Sequence, residues 1–254
     1  MNIKDIESDI KAQFKKRCRE MLFLESLLES IANETAKEIY RKSLVVMLYS
    51  HFEGFFKQIL DDYYVDLINE EKIPLYQASY AIQVSSLLTV FKDLQDITNK
   101  SALFKNDLPD DKDLHLFSRR LEFTEKFDEI FGVNTNGKII KIPVANQNKR
   151  KKGEDHIKGL VDTESNLKLS VIRKILFQLG LPYDEFKIYD SSINQLLHNR
   201  NEIGHGTFTK GIEKGLYKSL RLSSYKICLG IKNLVLSALK NQEYLKKEFR
   251  TIQK

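Results

Sequence analysis

The segment Leu196-Leu197-His198-Asn199-Arg200-Asn201-Glu202-Ile203-Gly204-His205-Gly206 gathers the side chains best suited to chemistry on a phosphodiester. Splitting an RNA chain with its own 2′-hydroxyl needs a group that removes a proton, a group that returns one, and positive charge where the phosphorane develops. His205 fits either proton transfer, because histidine titrates closest to neutral pH. Arg200 offers a cationic, planar fork that matches phosphate oxygens. At about 100° of helix per residue, Asn201 and His205 share a face, and Arg200 lies to one side within swinging reach. Asn201 is thereby placed to hold the imidazole or a phosphate oxygen. Gly204 and Gly206 mark where the helix loosens or ends. A histidine in a last turn feels the negative end of the helix dipole, which favours its protonated form and suits a general acid. This scheme calls for no metal and no cofactor.

One histidine is too few for two proton transfers. His198 lies on nearly the same face, but two helical turns separate it from His205 by roughly 10 Å. A twofold dimer that brings this helix near its symmetry mate would assemble two Arg200 and two His205, so a composite site in a homodimer is expected. Plainer roles remain for each residue: His205 could cap a helix or pack in the core, and His198 could hydrogen-bond within a bundle. Glu53, which interrupts an aromatic stripe beside Gly54, is either a solvated flank residue or a partner that orients Arg200. Glu202-Ile203-Gly204-His205 has the Glu-x-x-His spacing of di-iron bundles, but that chemistry needs a second copy and two more glutamates, so no metal site is expected. His51, His115 and His156 have no partners implied by spacing. There is no phosphate-binding G-x-x-x-x-G-K-[ST] loop, and Cys18 and Cys228 form neither a CxxC pair nor a recognisable nucleophile context. Both cysteines read as buried small hydrophobes.

The string Arg200-Asn201-x-x-x-His205 followed by glycine resembles the Arg-x(4 to 6)-His signature of the HEPN superfamily. Two further stretches fit the same picture in the same order: Leu48-Tyr49-Ser50-His51-Phe52-Glu53-Gly54-Phe55-Phe56-Lys57, and Thr163-Glu164-Ser165-Asn166-Leu167 leading to Leu179-Gly180-Leu181. The likeness covers most of residues 35 to 240. It implies an all-α HEPN-like bundle with a core of four to five helices, dimerisation, and catalysis by Arg200, Asn201 and His205. Many members are metal-independent ribonucleases of toxin-antitoxin and phage-defence systems, so RNA and a neutralising or paired protein are the implied partners. A catalytically silent module that binds RNA, a nucleotide or a partner is the other reading. Some HEPN proteins carry a tyrosine two residues after the histidine, where a partner enzyme modifies it; that position is Thr207 here, so the resemblance does not extend to that control.

The elements that must position these residues follow from periodicity. Residues 3 to 31 place Ile3, Ile6, Ile10, Phe14, Met21, Leu24, Leu28 and Ile31 on one helical face. A capping box at Thr35-Ala36-Lys37-Glu38 opens a second long helix, expected to reach about Asn69 with Leu44, Val45, Leu48, Phe52, Phe55, Phe56, Ile59 and Tyr63 inward. A third helix is expected from Pro74 to about Ile97, and a fourth over Leu114 to Phe131, after a polar stretch around Asn99 to Asp113. Helical periodicity stops between Gly132 and Val161, where Asn136-Gly137 signals a turn and Ile139, Ile140, Ile142 and Val144 read as a short strand. This insert carries the basic cluster Lys149, Arg150, Lys151 and Lys152, which either grips RNA phosphates or stays unstructured. Helices then resume from about Thr163 to Leu179, with Gly180 at the C-cap, from near Tyr183 into the motif, and from about Lys210 to Lys247. The pattern reads as a single domain over 1–254, with a core at 35–240, an N-terminal helix at 1–34 and the basic insert at 132–162.

With 254 residues, 42% of them hydrophobic, the chain can bury a sizeable core. A net charge of +6 and a pI near 9.0 suit a polyanionic partner. Further basic clusters, Lys15 to Arg19 and Lys246 to Arg250, interleave with apolar helical positions and read as solvated surface. The longest apolar run, Ser43 to Tyr49, is far short of a span of about 20 residues, and the start Met1-Asn2-Ile3-Lys4-Asp5 lacks a signal peptide's apolar region. No membrane association and a cytoplasmic location are the expectations.

Overall fold

Asn33 starts the helix around which the others assemble. In the computed structural model, which describes residues 3–98, 112–132, 137–144 and 159–251, its side-chain oxygen accepts from the amides of Thr35 (2.8 Å) and Ala36 (3.4 Å). Helix α2 therefore runs Glu34–Leu60. The expected Thr35/Glu38 capping box is not what caps it, because an asparagine two residues earlier satisfies the same free amides, and asparagine is among the best N-caps. Apolar side chains then occupy more than one stripe: Leu44, Val45, Leu48, Tyr49, Phe52, Phe55, Phe56, Ile59 and Leu60 are all buried. A helix apolar over so much of its circumference must be covered on several sides. Helices α1 (Ile3–Ser26), α9 (Asp190–Gly204) and α10 (Lys214–Lys240) supply the cover. Truncating one of its aromatic residues, such as Phe52, to alanine should cost about 3–5 kcal/mol.

The helical path continues beyond Leu60 as expected, but through a wide π-helical turn, Asp61–Val65, before α3 (Asp66–Glu70). The single helix expected over 74–97 is instead a 3₁₀ turn (Leu75–Gln77), α4 (Tyr80–Ser86) and α5 (Leu88–Asp93). Tertiary pairing breaks it. Ser79 donates to Tyr244 O at 2.7 Å and Lys246 to Gln77 O at 2.9 Å, holding Ala78 extended in a bridge with Leu245.

The fourth expected helix is split at Lys126 into α6 (Lys112–Glu125) and α7 (Phe127–Phe131). Around the insert, Ile139 pairs with Pro74 in an isolated antiparallel bridge, while Ile140, Ile142, Leu160 and Val161 are buried in the common hydrophobic cluster. That bridge and the one at Ala78 are the only β pairings among the described residues, so the expected strand does not extend into a sheet. Lys149, Arg150, Lys151 and Lys152 lie outside the described residues, as do Asn136 and His156.

Helix α8 (Leu169–Gln178) begins six residues later than the expected Thr163, because 163–166 forms a turn. Gly180, with φ +71°, ends it in the expected position, with Leu181 donating to Leu176 O and Gly180 to Phe177 O. Helix α10 stops at Lys240, short of Lys247, where Gln242 turns left-handed at φ +51°. Cys228 is buried as expected, whereas Cys18 is only half-buried, and both are free thiols. The fold is an all-α bundle, and no described helix is long and apolar enough to cross a membrane.

Candidate active site

Helix α9 carries the motif and presents three of its residues in three directions. Asn199 faces the core at 4% exposure, His198 faces solvent, and Arg200 lies half-buried between them. The Arg200 guanidinium carbon sits 4.9 Å from the centre of the Tyr49 ring, a cation–π contact with α2. Its Nη1 donates to Asn201 Oδ1 at 2.7 Å, and Asn201 Nδ2 in turn donates to Asn166 Oδ1 at 3.3 Å. Arg200 has thus swung toward Asn201, as its length allows, but it rests on an aromatic face.

His205 is the C-cap of α9, with its amide donating to Asn201 O at 2.9 Å and its side chain exposed. The helix ends in a Schellman motif: Thr207 donates to Glu202 O at 3.0 Å and Gly206 to Ile203 O at 3.1 Å. Gly206 takes φ +74°, a left-handed conformation that glycine adopts without steric cost. The carbonyls of Asn201, Glu202 and Ile203 are thus each satisfied by a backbone amide, and the imidazole stands exposed beside this closed helix end. It makes no hydrogen bond to a described residue.

The loop that follows is clamped to the first half of α2. Lys42 Nζ donates to Phe208 O at 2.7 Å and stands 5.3 Å from the centre of that ring. Ile212, fully buried, donates its amide to Glu38 O at 3.0 Å, and the buried Arg41 donates to Ile212 O at 3.2 Å. These bonds tie the end of α9 to the helix that supplies Tyr49.

The direct pairing of Glu53 with Arg200 is not made: no ion pair joins them. Glu53 is half-buried one helical turn beyond Tyr49 and acts on the phenol instead. Burial pushes the Tyr49 hydroxyl up to about 12; the Leu167 amide, which donates to it at 2.7 Å, opposes that rise, and the charge of Glu53 adds to it. His198 Nε2 lies 3.6 Å from Glu202 Oε2 on the exposed side of α9. Glu202 therefore faces His198, and no cluster of metal-ligating side chains occurs among the described residues. The site so described holds a fixed cation, an amide and a free imidazole within two turns of one helix. Tyr49 and Asn166 were not singled out from the sequence, although both fall inside the stretches that carry the HEPN resemblance.

A family model described as RiboL-PSP-HEPN matches residues 12–237. No curated protein and no solved structure matches the chain. The chain belongs to the RiboL-PSP-HEPN family, within the HEPN superfamily.

Proposed function

We propose that this RiboL-PSP-HEPN chain is a metal-independent endoribonuclease whose site is completed by a second copy of the chain. The observation that carries the reading is the pose of Arg200, seated on Tyr49 and tied to Asn201 about one turn of helix from the exposed His205 imidazole. A guanidinium so held can receive the equatorial oxygens of a phosphorane. One imidazole removes the proton of the substrate's 2′-hydroxyl as its oxygen attacks phosphorus. A protonated imidazole gives a proton to the 5′-oxygen as the P–O5′ bond breaks. Each chain brings one His205 to its motif, so an isologous dimer supplies both groups. Membership of a superfamily rich in ribonucleases supports the reaction class, and the toxin or defence setting, with a neutralising or paired protein, is proposed on that same resemblance.

The test is cleavage of single-stranded RNA in excess EDTA. Products should carry a 2′,3′-cyclic phosphate, or the monophosphate from its opening, and a 5′-hydroxyl. His205→Ala should abolish turnover, and Arg200→Lys should lose it despite keeping the charge, because an ammonium loses the two-pronged grip on phosphate. RNA that binds but is never cut would favour the silent binding module, and 5′-phosphate ends would overturn the transesterification.

A further inference from the structure

The turn ahead of α8 is strained without containing a glycine. Asn166 donates its amide to Thr163 O at 3.0 Å, and the two residues between them, Glu164 and Ser165, have φ +56° and +57°. Two successive left-handed residues are the pattern of a type I′ turn, which ordinarily takes asparagine, aspartate or glycine there. Other L-residues adopt it only at a steric cost, because Cβ crowds the following carbonyl oxygen. Local bonds offset part of this: Glu164 receives Lys174 Nζ at 2.5 Å, and its amide donates to Asp162 Oδ1 at 2.8 Å.

The two residues delivered by the turn, Asn166 and Leu167, reach the side chains that surround Arg200. The Leu167 amide donates to the Tyr49 hydroxyl at 2.7 Å, which fixes the ring that lies under Arg200. Asn166 Oδ1 accepts from Asn201 Nδ2, which leaves Asn201 Oδ1 to accept from Arg200 Nη1. An amide has one donor end and one acceptor end. If Asn201 turned over, its NH₂ would face the guanidinium, two donors in opposition. Asn166 therefore sets which end of Asn201 Arg200 meets. The contacts close a ring: turn to Tyr49, Tyr49 to Arg200, Arg200 to Asn201, Asn201 back to the turn.

We propose that Asn166 and Tyr49 are positioning residues that fix the Arg200 guanidinium in its phosphate-receiving pose, and that the turn at 163–166 exists to present Asn166 and the Leu167 amide that holds Tyr49. The proposal rests on the assignment of Arg200 to the phosphate, as given above. Asn166 is exposed, so Asn166→Ala leaves the packing of the bundle untouched, whereas Tyr49 is buried and is best probed by Tyr49→Phe, which keeps the ring and removes the hydroxyl.

The experiment combines three measurements on the full-length chain. The first is rotation of the Arg200 guanidinium by side-chain NMR, assigned by its loss in Arg200→Lys. Separate Nη resonances are expected in the wild type and exchange-averaged ones in Asn166→Ala. The second is steady-state cleavage, in which Asn166→Ala should lower kcat on the order of a hundredfold, the effect of a misplacement near 1 Å, while KM moves less than threefold. Tyr49→Phe should lose less than Asn166→Ala. The third is affinity for a 2′-O-methyl RNA, which cannot be cut. If Arg200 is equally restrained in Asn166→Ala, or that variant keeps wild-type kcat, the positioning roles are wrong even though the wild type cleaves RNA. If the wild type binds RNA without cutting it, the catalytic reading falls, while a loss of restraint and of affinity in Asn166→Ala would still uphold the positioning.

Discussion

Asp61 opens the π-helical turn at 5% exposure, and its Oδ1 has no hydrogen-bond partner among the described residues. Burial raises its carboxyl from an ordinary 3.8 to about 6, with Asp62 and Asp66 adding to the rise and Lys57 opposing it. Because the folded value is the higher one, the folded chain holds this proton after the unfolded chain has released it. The contribution of Asp61 to stability is therefore fully present below about pH 3.8, falls as pH rises toward 6, and stays lost above that. At about 1.4 kcal/mol per pH unit, the ionised carboxylate costs up to about 3 kcal/mol at pH 8. Asp61→Asn keeps the shape and removes the ionisation. The variant should gain about 1–3 kcal/mol over the wild type at pH 8 and close to nothing at pH 4. Urea unfolding of both proteins at pH 4, 5, 6 and 8, with unchanged m-values, reads the difference directly. The amide itself also lacks a partner, so the decisive quantity is how the difference varies with pH. A difference that stays constant from pH 4 to 8, or a variant less stable at pH 8, would refute the reasoning.

Two glycines beside the motif should behave differently. Gly206→Ala meets nothing within 4 Å and bears only the left-handed φ of +74°, so urea unfolding should show a loss of about 1–2 kcal/mol. A Cβ at Gly211 would lie 2.4 Å from the Glu38 Cβ, inside the clamp that holds the post-motif loop. Gly211→Ala should therefore destabilise by more, about 3 kcal/mol, and depress RNA cleavage as the end of α9 loses its tether. If the site is composite, activity in co-refolded mixtures of wild type with His205→Ala should fall as the square of the wild-type fraction; a linear fall would point to one chain per site.

Much of this framework was legible because it is local. The Leu, Phe and Tyr spacing of α2 marks its buried faces, and glycines 180 and 206 stand at C′ positions where a helix must turn left-handed. What was not legible depends on partners distant in sequence. The extended backbone at Ala78 comes from pairing with residues near 245, which no periodicity in 74–97 reveals. The cap at Asn33 rather than Thr35 is a competition between two good caps for the same amides. At the site, Leu167 and Tyr49 lie 118 residues apart, and Asn166 and Asn201 lie 35 apart. Spacing within the motif could place Arg200 to one side of the Asn201–His205 face, but it could not show what that side rests on.

The bundle treats the two key side chains of the motif in opposite ways. Arg200 is constrained from below by Tyr49 and laterally by Asn201, whose own orientation Asn166 sets. On the proposed reaction its charge would be in place before a phosphate arrives, which is what makes electrostatic stabilisation effective, since nothing need reorganise during reaction. His205 is held only through its backbone, at the last carbonyls of α9, and its ring is open to solvent. An imbalance of this kind fits a site whose cation belongs to one chain and whose proton-transfer groups acquire their geometry on assembly. Proton transfer requires a heavy-atom approach of roughly 3 Å, and an exposed imidazole attains it reliably only when a neighbouring surface limits its rotamers. A second copy of α9 across a twofold axis would provide that surface to both histidines at once.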